Sequence, residues 1–244
     1  MGERRKGAYI MNTNKIHIYE PKIQKGDGAV IIFTGGGYSR RAPHEAEPYA
    51  LKINEMGLWA FVVDYAVAPE IFPAALNDGI EAIRLARQTR GINPEKIAVM
   101  GSSAGGHLAA SLATLRDDET RPNAQILCYP VTDIASHRGS YENLLGGFLD
   151  SADEHNPIVL ADESTPPAFI WHTSSDPSVD VKGTYRYATR LSELGVPVEM
   201  HIYPIGGHGL GLANGLYDRA TEPYVQRWIE DLERWLELIG WINK

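Results

Sequence analysis

The chain has 244 residues, 43% of them hydrophobic, and a formal net charge of −8. That length is enough to bury one sizeable core, and a single α/β domain over 1–244 is expected. An acidic balance with only 23 Lys and Arg excludes a broad basic surface of the kind that neutralises nucleic-acid phosphates.

At the N-terminus the basic cluster Arg4–Lys6 is followed by "GAYIMNTNKIHIY", which Asn, Thr and Lys break too often for a secretory apolar segment. Lys6 also stands where myristoylation after Gly2 requires Ser or Thr. With no run of about 18 apolar residues to span a membrane, the cytoplasm is the expected location. "GAVIIFTGGG" then predicts a buried strand ending in glycines. "LWAFVVDY" predicts a second, closed by "APE" and Pro73. In "PAALNDGIEAIRLARQTRG", Ala75, Ile80, Ile83, Leu85 and Ala86 form the apolar face of a helix that Gly91 stops. "KIAVMG" is a strand and "GHLAASLATL" a helix. "AQILCYPV" is a strand holding the one cysteine, Cys128, which excludes an intrachain disulfide and a cysteine-rich zinc module and is expected to be a buried thiol.

From about Ser136 to Pro166 the alternation stops. This polar, acidic segment is expected either to wall or cover a pocket as an insertion, or to be a plain surface excursion with one helix. "PAFIWHTSSD" resumes with a strand, "VKGTYRYATRLSELG" with a helix and "VPVEMHIYP" with a strand. A last helix, "EPYVQRWIEDLERWLELIG", spaces Val225, Trp228, Ile229, Leu232, Trp235 and Ile239 as a docking stripe. Strands alternating with helices predict a mostly parallel sheet covered on both faces.

Gly101-Ser102-Ser103-Ala104-Gly105 is a G-x-S-x-G pattern centred on Ser103. It follows an apolar strand and opens an apolar helix. That context lets small neighbours expose a hydroxyl on a tight strand-to-helix turn, so Ser103 is the candidate nucleophile and Ser102 a turn residue. A serine hydroxyl needs an oriented base to take its proton. The chain order Ser, acid, His is met by Asp176, just past the "AFIWHT" strand, and by His208 in the loop "YPIGGHG". Competing bases are His107, placed on the helix behind the serine, and His172 and His201, both inside strand runs. Asp180 is the rival acid, with Glu199 nearby. His172 and Asp176 would make only two ligands of a metal site, so no metal or cofactor is expected. For the oxyanion, donors are expected from the amide of Ala104 and from Gly36 and Gly37 in the triplet after the first strand, where glycine lets the backbone approach substrate closely. The triplet lacks the Gly-Lys-Ser/Thr of a phosphate loop.

From about Ala29 to Leu212 the chain resembles the α/β-hydrolase superfamily, in particular the esterase and lipase branch that includes bacterial acetyl xylan esterases and related carbohydrate esterases. The matching pieces are "FTGGGYS", "VVDYAVAPE", "FPAALND", "GSSAGGHLAA", "TPPAFIWHTSSDPSV" and "VPVEMHIYPIGGHGLGLA". The resemblance implies an α/β-hydrolase fold, Asp176 as the triad acid, and a serine esterase acting on small acylated molecules, acetylated sugars or xylo-oligosaccharides first among them. Thr34, Ala66, Asp180 and Lys182 depart from the family pattern, the last two near the expected pocket rim. Tyr38, Tyr141 and Trp171 are candidate stacking faces for a sugar or cinnamoyl group. A general short-chain, feruloyl or peptidase-like hydrolase and a non-catalytic relative are the alternatives, and self-association stays open.

Overall fold

The computed structural model describes residues 10–115, 117–147 and 152–243. The basic cluster Arg4–Lys6 and part of the 136–166 segment lie outside the described residues. In chain order the strands and helices are β1 (Ile10–Thr13), β2 (Ile16–Tyr19), β3 (Ala29–Phe33), α1 (Glu47–Glu55), β4 (Trp59–Val63), α2 (Ala74–Gln88), β5 (Ile97–Ser102) and α3 (Ala104–Ala113). They continue with β6 (Ala124–Cys128), α4 (Arg138–Leu145), α5 (Pro157–Leu160), β7 (Ala168–Thr173), α6 (Val181–Glu193), β8 (Val198–Tyr203), α7 (Pro223–Gln226) and α8 (Trp228–Leu238).

The strands form one eight-stranded sheet in the order β1-β2-β4-β3-β5-β6-β7-β8. All pairings from β4 to β8 are parallel, with Ile31 of β3 opposite Phe61 on one side and Val99 on the other. The first two strands pair antiparallel, and β2 runs antiparallel to β4. Sequence periodicity begins the sheet at β3. The preceding hairpin strands are only four residues each and carry Asn and His, so their apolar alternation is too short to register.

The central strands are buried on both faces, as their unbroken apolar runs require. Alternate residues of β3 serve opposite cores. Ala29, Ile31 and Phe33 belong to the core shared with α2, α3 and α6, whereas Val30 and Ile32 belong to the one shared with α1 and α8. Each of the valine, isoleucine and phenylalanine side chains, fully removed from water, contributes about 1.5–3 kcal/mol. The predicted last helix is two helices, α7 and α8, and its stripe docks as expected, with Val225, Trp228, Leu232 and Trp235 buried. Cys128 is buried in β6, which pushes its thiol up to about 12. No helix among the described residues is long and apolar enough to cross a membrane.

The parallel topology brings the loops after β3, β5, β7 and β8 to one edge of the sheet, where ligands of such sheets commonly bind. The segment after β6 folds beside them as two 3-10 turns, Ile134–Ser136 and Ala152–His155, together with α4 and α5. It is fastened inward. Asn143 Nδ2 donates to the Gly37 carbonyl at 2.8 Å, the Phe72 amide to the Leu144 carbonyl at 2.7 Å, and Leu144 and Leu145 are buried.

Candidate active site

Ser103 sits between the last residue of β5 and the first of α3, at φ 53° and ψ −120°. This is a conformation that residues with a Cβ seldom adopt. Its amide donates to the Cys128 carbonyl at 3.1 Å, and its carbonyl accepts from His107 and Val131, so the turn is held on both sides. The flanking glycines are steric requirements. A Cβ on Gly101 would lie 2.0 Å from the Gly105 carbonyl oxygen, and one on Gly105 would lie 2.2 Å from that of Phe33. Ser103 remains 6% exposed, with its oxygen turned toward the loop after β8.

There His208 Nε2 lies 2.9 Å from Ser103 Oγ, and His208 Nδ1 lies 2.7 Å from Asp176 Oδ2. A carboxylate only accepts, so Nδ1 carries the hydrogen and Nε2 offers its lone pair to the serine hydroxyl. The Asp176 side chain is shielded from solvent. Burial opposes its ionisation, yet hydrogen bonds from His172 and His208 outweigh that and hold the carboxyl well below the usual range. The amides of Ser178 and Val179 donate to its other oxygen at 2.8 and 3.0 Å.

The rivals are placed elsewhere. Asp180 caps α6 by accepting from the Lys182 amide and pairs with the Lys182 side chain at the surface. His201 bonds Glu199. His107 is buried between the Tyr38 hydroxyl, 2.7 Å from Nδ1, and the His155 carbonyl, 2.7 Å from Nε2. Burial lowers its pKa to about 4 and keeps it neutral. His172 bonds Asp176 Oδ2 through Nε2 at 3.2 Å and Thr184 through Nδ1 at 2.8 Å, so Asp176 serves two imidazoles. Among the described residues no group of three or more His, Cys, Asp or Glu side chains is arranged to hold a metal ion.

The glycine loop lies against the serine. A Cβ on Gly35 would come 3.1 Å from Ser103 Cβ. Its peptide units are pinned in turn. The Thr34 carbonyl accepts from the Tyr65 hydroxyl, the Gly35 carbonyl from the Ala42 amide, and the Gly36 carbonyl from the amides of Ser39 and Arg40. In a trans peptide the N–H points opposite the preceding C=O, so fixing the carbonyls of Gly35 and Gly36 fixes the amides of Gly36 and Gly37. Ala104 opens α3, where the first amides have no partner within the helix. The cavity in front of Ser103 is about 300 Å³, and its lining mixes glycine backbone with the side chains of Arg40, His137, Ser178 and Arg219. A hydroxyl facing an imidazole lone pair can lose its proton as it attacks a carbonyl carbon.

Three aromatic expectations require correction. Trp171 lies in β7, stacked on Trp228 at 5.0 Å and fully buried, so it has no face for a ligand. Tyr141, in α4, is 2% exposed, and Tyr38, also 2% exposed, turns its hydroxyl to His107 and lines a separate, mostly apolar cavity of about 270 Å³. All three supply core area rather than a stacking surface. Motif reading also passed over Glu45, Tyr129 and Arg219, and weighed His172 only as a rival base or one ligand of a metal pair. Arg219 donates to the carbonyls of His208 and Gly209 and so braces the histidine loop. None of the four belongs to a spaced pattern, and only the fold brings them to the site.

Known proteins resemble the chain in both sequence and structure. It is 31% identical over 224 residues to an acetylxylan esterase of Xylanibacter ruminicola, covering 86% of this chain and 45% of that protein. It is 32% identical over 209 residues to endo-1,4-beta-xylanase B of Butyrivibrio fibrisolvens, covering 76% and 33%. The chain thus spans less than half the length of either curated relative. The crystal structure of an acetyl ester-xyloside bifunctional hydrolase from Caldicellulosiruptor lactoaceticus superposes with a TM-score of 0.83 at 40% identity, covering 93% of this chain and 89% of that one. Residues 30–212 match the family model of the alpha/beta hydrolase fold, and with the sheet order and the turn at Ser103 this makes the chain a member of the α/β-hydrolase family.

Proposed function

We propose that the chain is a serine carboxylester hydrolase that removes short acyl groups, acetyl foremost, from acylated sugars or xylo-oligosaccharides. The observation that carries the reading is the continuous hydrogen-bonded line from Ser103 Oγ through His208 to Asp176. Ser103 attacks the ester carbonyl while His208 takes its proton, and Asp176 keeps the imidazole in the required tautomer and stabilises the imidazolium. The amides of Ala104, Gly36 and Gly37 receive the oxyanion. His208 then protonates the departing alcohol, and water repeats the cycle on the acyl-enzyme. The small cavity supports a short acyl group. The sugar assignment is supported by the names of the xylan-related relatives. The segment 136–166 acts here as a pocket wall within a single domain.

Ser103→Ala is expected to lower p-nitrophenyl acetate hydrolysis by about 10⁴-fold or more, and to abolish labelling by a fluorophosphonate. Asp176→Asn should cost about 10³–10⁴-fold while Asp180→Asn leaves the rate nearly unchanged. An active Ser103→Ala protein would refute the mechanism. Acetylated xylo-oligosaccharides set against feruloyl esters and p-nitrophenyl esters of rising chain length test the substrate class.

A further inference from the structure

Glu45 is a buried carboxyl, 2% exposed, that the mechanism above does not use. No Lys or Arg side chain pairs with it among the described residues, and its partners belong to the site's own scaffold. Its Oε2 accepts from the Gly35 amide at 2.5 Å, and its Oε1 accepts from the Tyr129 hydroxyl at 2.6 Å. The Tyr129 oxygen in turn accepts from the Gly211 amide at 3.0 Å, three residues past His208, and the Tyr129 ring lies edge-on to the His208 ring at 5.3 Å. The neighbouring His44 Nε2 lies 3.3 Å from Glu45 Oε1 and donates to the Gly209 carbonyl at 2.9 Å. One carboxyl therefore links the loop of the oxyanion amides to the loop of the general base through Tyr129, with His44 packed alongside.

Backbone position makes this link consequential. The Gly35 N–H belongs to the peptide unit just before the two whose orientation sets the Gly36 and Gly37 amides. The next carbonyl, that of Gly35, accepts from the Ala42 amide. Without Glu45 the Gly35 amide would be a buried donor lacking an acceptor, and its peptide unit would keep only the Tyr65 hydrogen bond to the Thr34 carbonyl on its other side among the described residues. We infer that Glu45 is a positioning residue for ester hydrolysis: it holds the Gly35–Gly37 amides in register with His208, and so acts on the oxyanion rather than on substrate binding. This rests on the mechanism proposed above.

The test is Glu45→Gln, nearly isosteric, which keeps one acceptor but sets an NH₂ group against a donor that the carboxyl accepts. Two quantities are read beside the thermal midpoint: kcat and KM for p-nitrophenyl acetate, and Ki for a small trifluoromethyl ketone. Ser103 Oγ adds to the ketone carbon, its proton passes to His208, and the former carbonyl oxygen becomes an alkoxide in the place of the reaction's oxyanion. Removing a whole donor costs about 10²–10³-fold, so a displaced one is expected to lower kcat and raise the ketone Ki by about 10-fold each, with KM within about twofold. A merely structural role would shift the midpoint and leave the ketone Ki close to that of the parent. The inference stands if Ki rises by about fivefold or more with KM held, and any other pattern in folded protein overturns it. If Glu45→Gln is not recovered folded, Tyr129→Phe is judged by the same rule. If neither folds, the pair serves the fold and the inference fails. An active Ser103→Ala protein would sink the mechanism itself, whereas an inactive one with an unaffected Glu45→Gln removes only this inference.

Discussion

Around Ser103 the chain is held by main-chain geometry. Gly101 and Gly105 allow backbones to touch, Ser103 takes a left-handed conformation, and the glycine loop is fixed carbonyl by carbonyl. The neighbouring segment from Ile134 to Pro166 is held mainly through side chains: Asn143 on the Gly37 carbonyl, Asn156 on Asp133, and leucines packed against the core. The first arrangement fixes atoms to fractions of an ångström but tolerates no added volume. The second accepts change, because a side-chain contact can be exchanged without moving backbone. Precision is concentrated where charge would develop, and adaptability where a substrate's remaining parts would lie.

The contrast breaks first at glycine. Gly105→Ala drives a Cβ into the Phe33 carbonyl, with no flexible atom to yield, and should cost more than about 3 kcal/mol in urea-monitored stability or prevent folding. An intermediate effect is expected where the two regions meet. His107 bridges Tyr38 of the first to His155 of the second, and burial lowers its pKa from 6.5 to about 4. The unfolded chain binds a proton below pH 6.5 that the folded chain refuses. Stability is therefore full above that value and falls as pH drops toward 4, by on the order of 3 kcal/mol from this group. Burial likewise lowers His137 and His155, so they add in the same direction. His107→Gln should flatten the dependence of the urea midpoint on pH between about 7 and 4, and an unchanged slope would remove His107 as its source. The smallest effect should come from the wall. Gly139 in α4 has nothing within 4 Å of an added Cβ, so Gly139→Ala should gain about 0.5–1 kcal/mol without changing hydrolysis. A destabilising Gly139→Ala would show the two regions to be equally constrained.

The same difference explains what the sequence makes legible. G-x-S-x-G and the glycine triplet are readable because each letter answers a local steric demand. Asp176 and His208 are readable because a parallel sheet delivers the ends of successive strands to one edge. Glu45 and His172 carry no such signature. One lies in a 3-10 turn and the other inside a strand, and loop conformation rather than a residue pattern sets them on Gly35 and, four residues on, Asp176. Tyr38, Tyr141 and Trp171 show the converse. An aromatic near a motif reads equally as pocket or core, and here the core takes all three. The β1–β2 hairpin was hidden by brevity, since four residues leave too few turns of alternation to separate from chance.

The φ of 53° at Ser103 has an evolutionary corollary. Threonine bears the same hydroxyl, but its branched Cβ crowds the backbone at positive φ, so the commonest chemical equivalent of serine is barred here on shape alone. Cysteine, unbranched and of similar size, escapes that veto. Lineages that exchange the attacking atom at this turn would therefore move from oxygen to sulfur before moving from one alcohol to another.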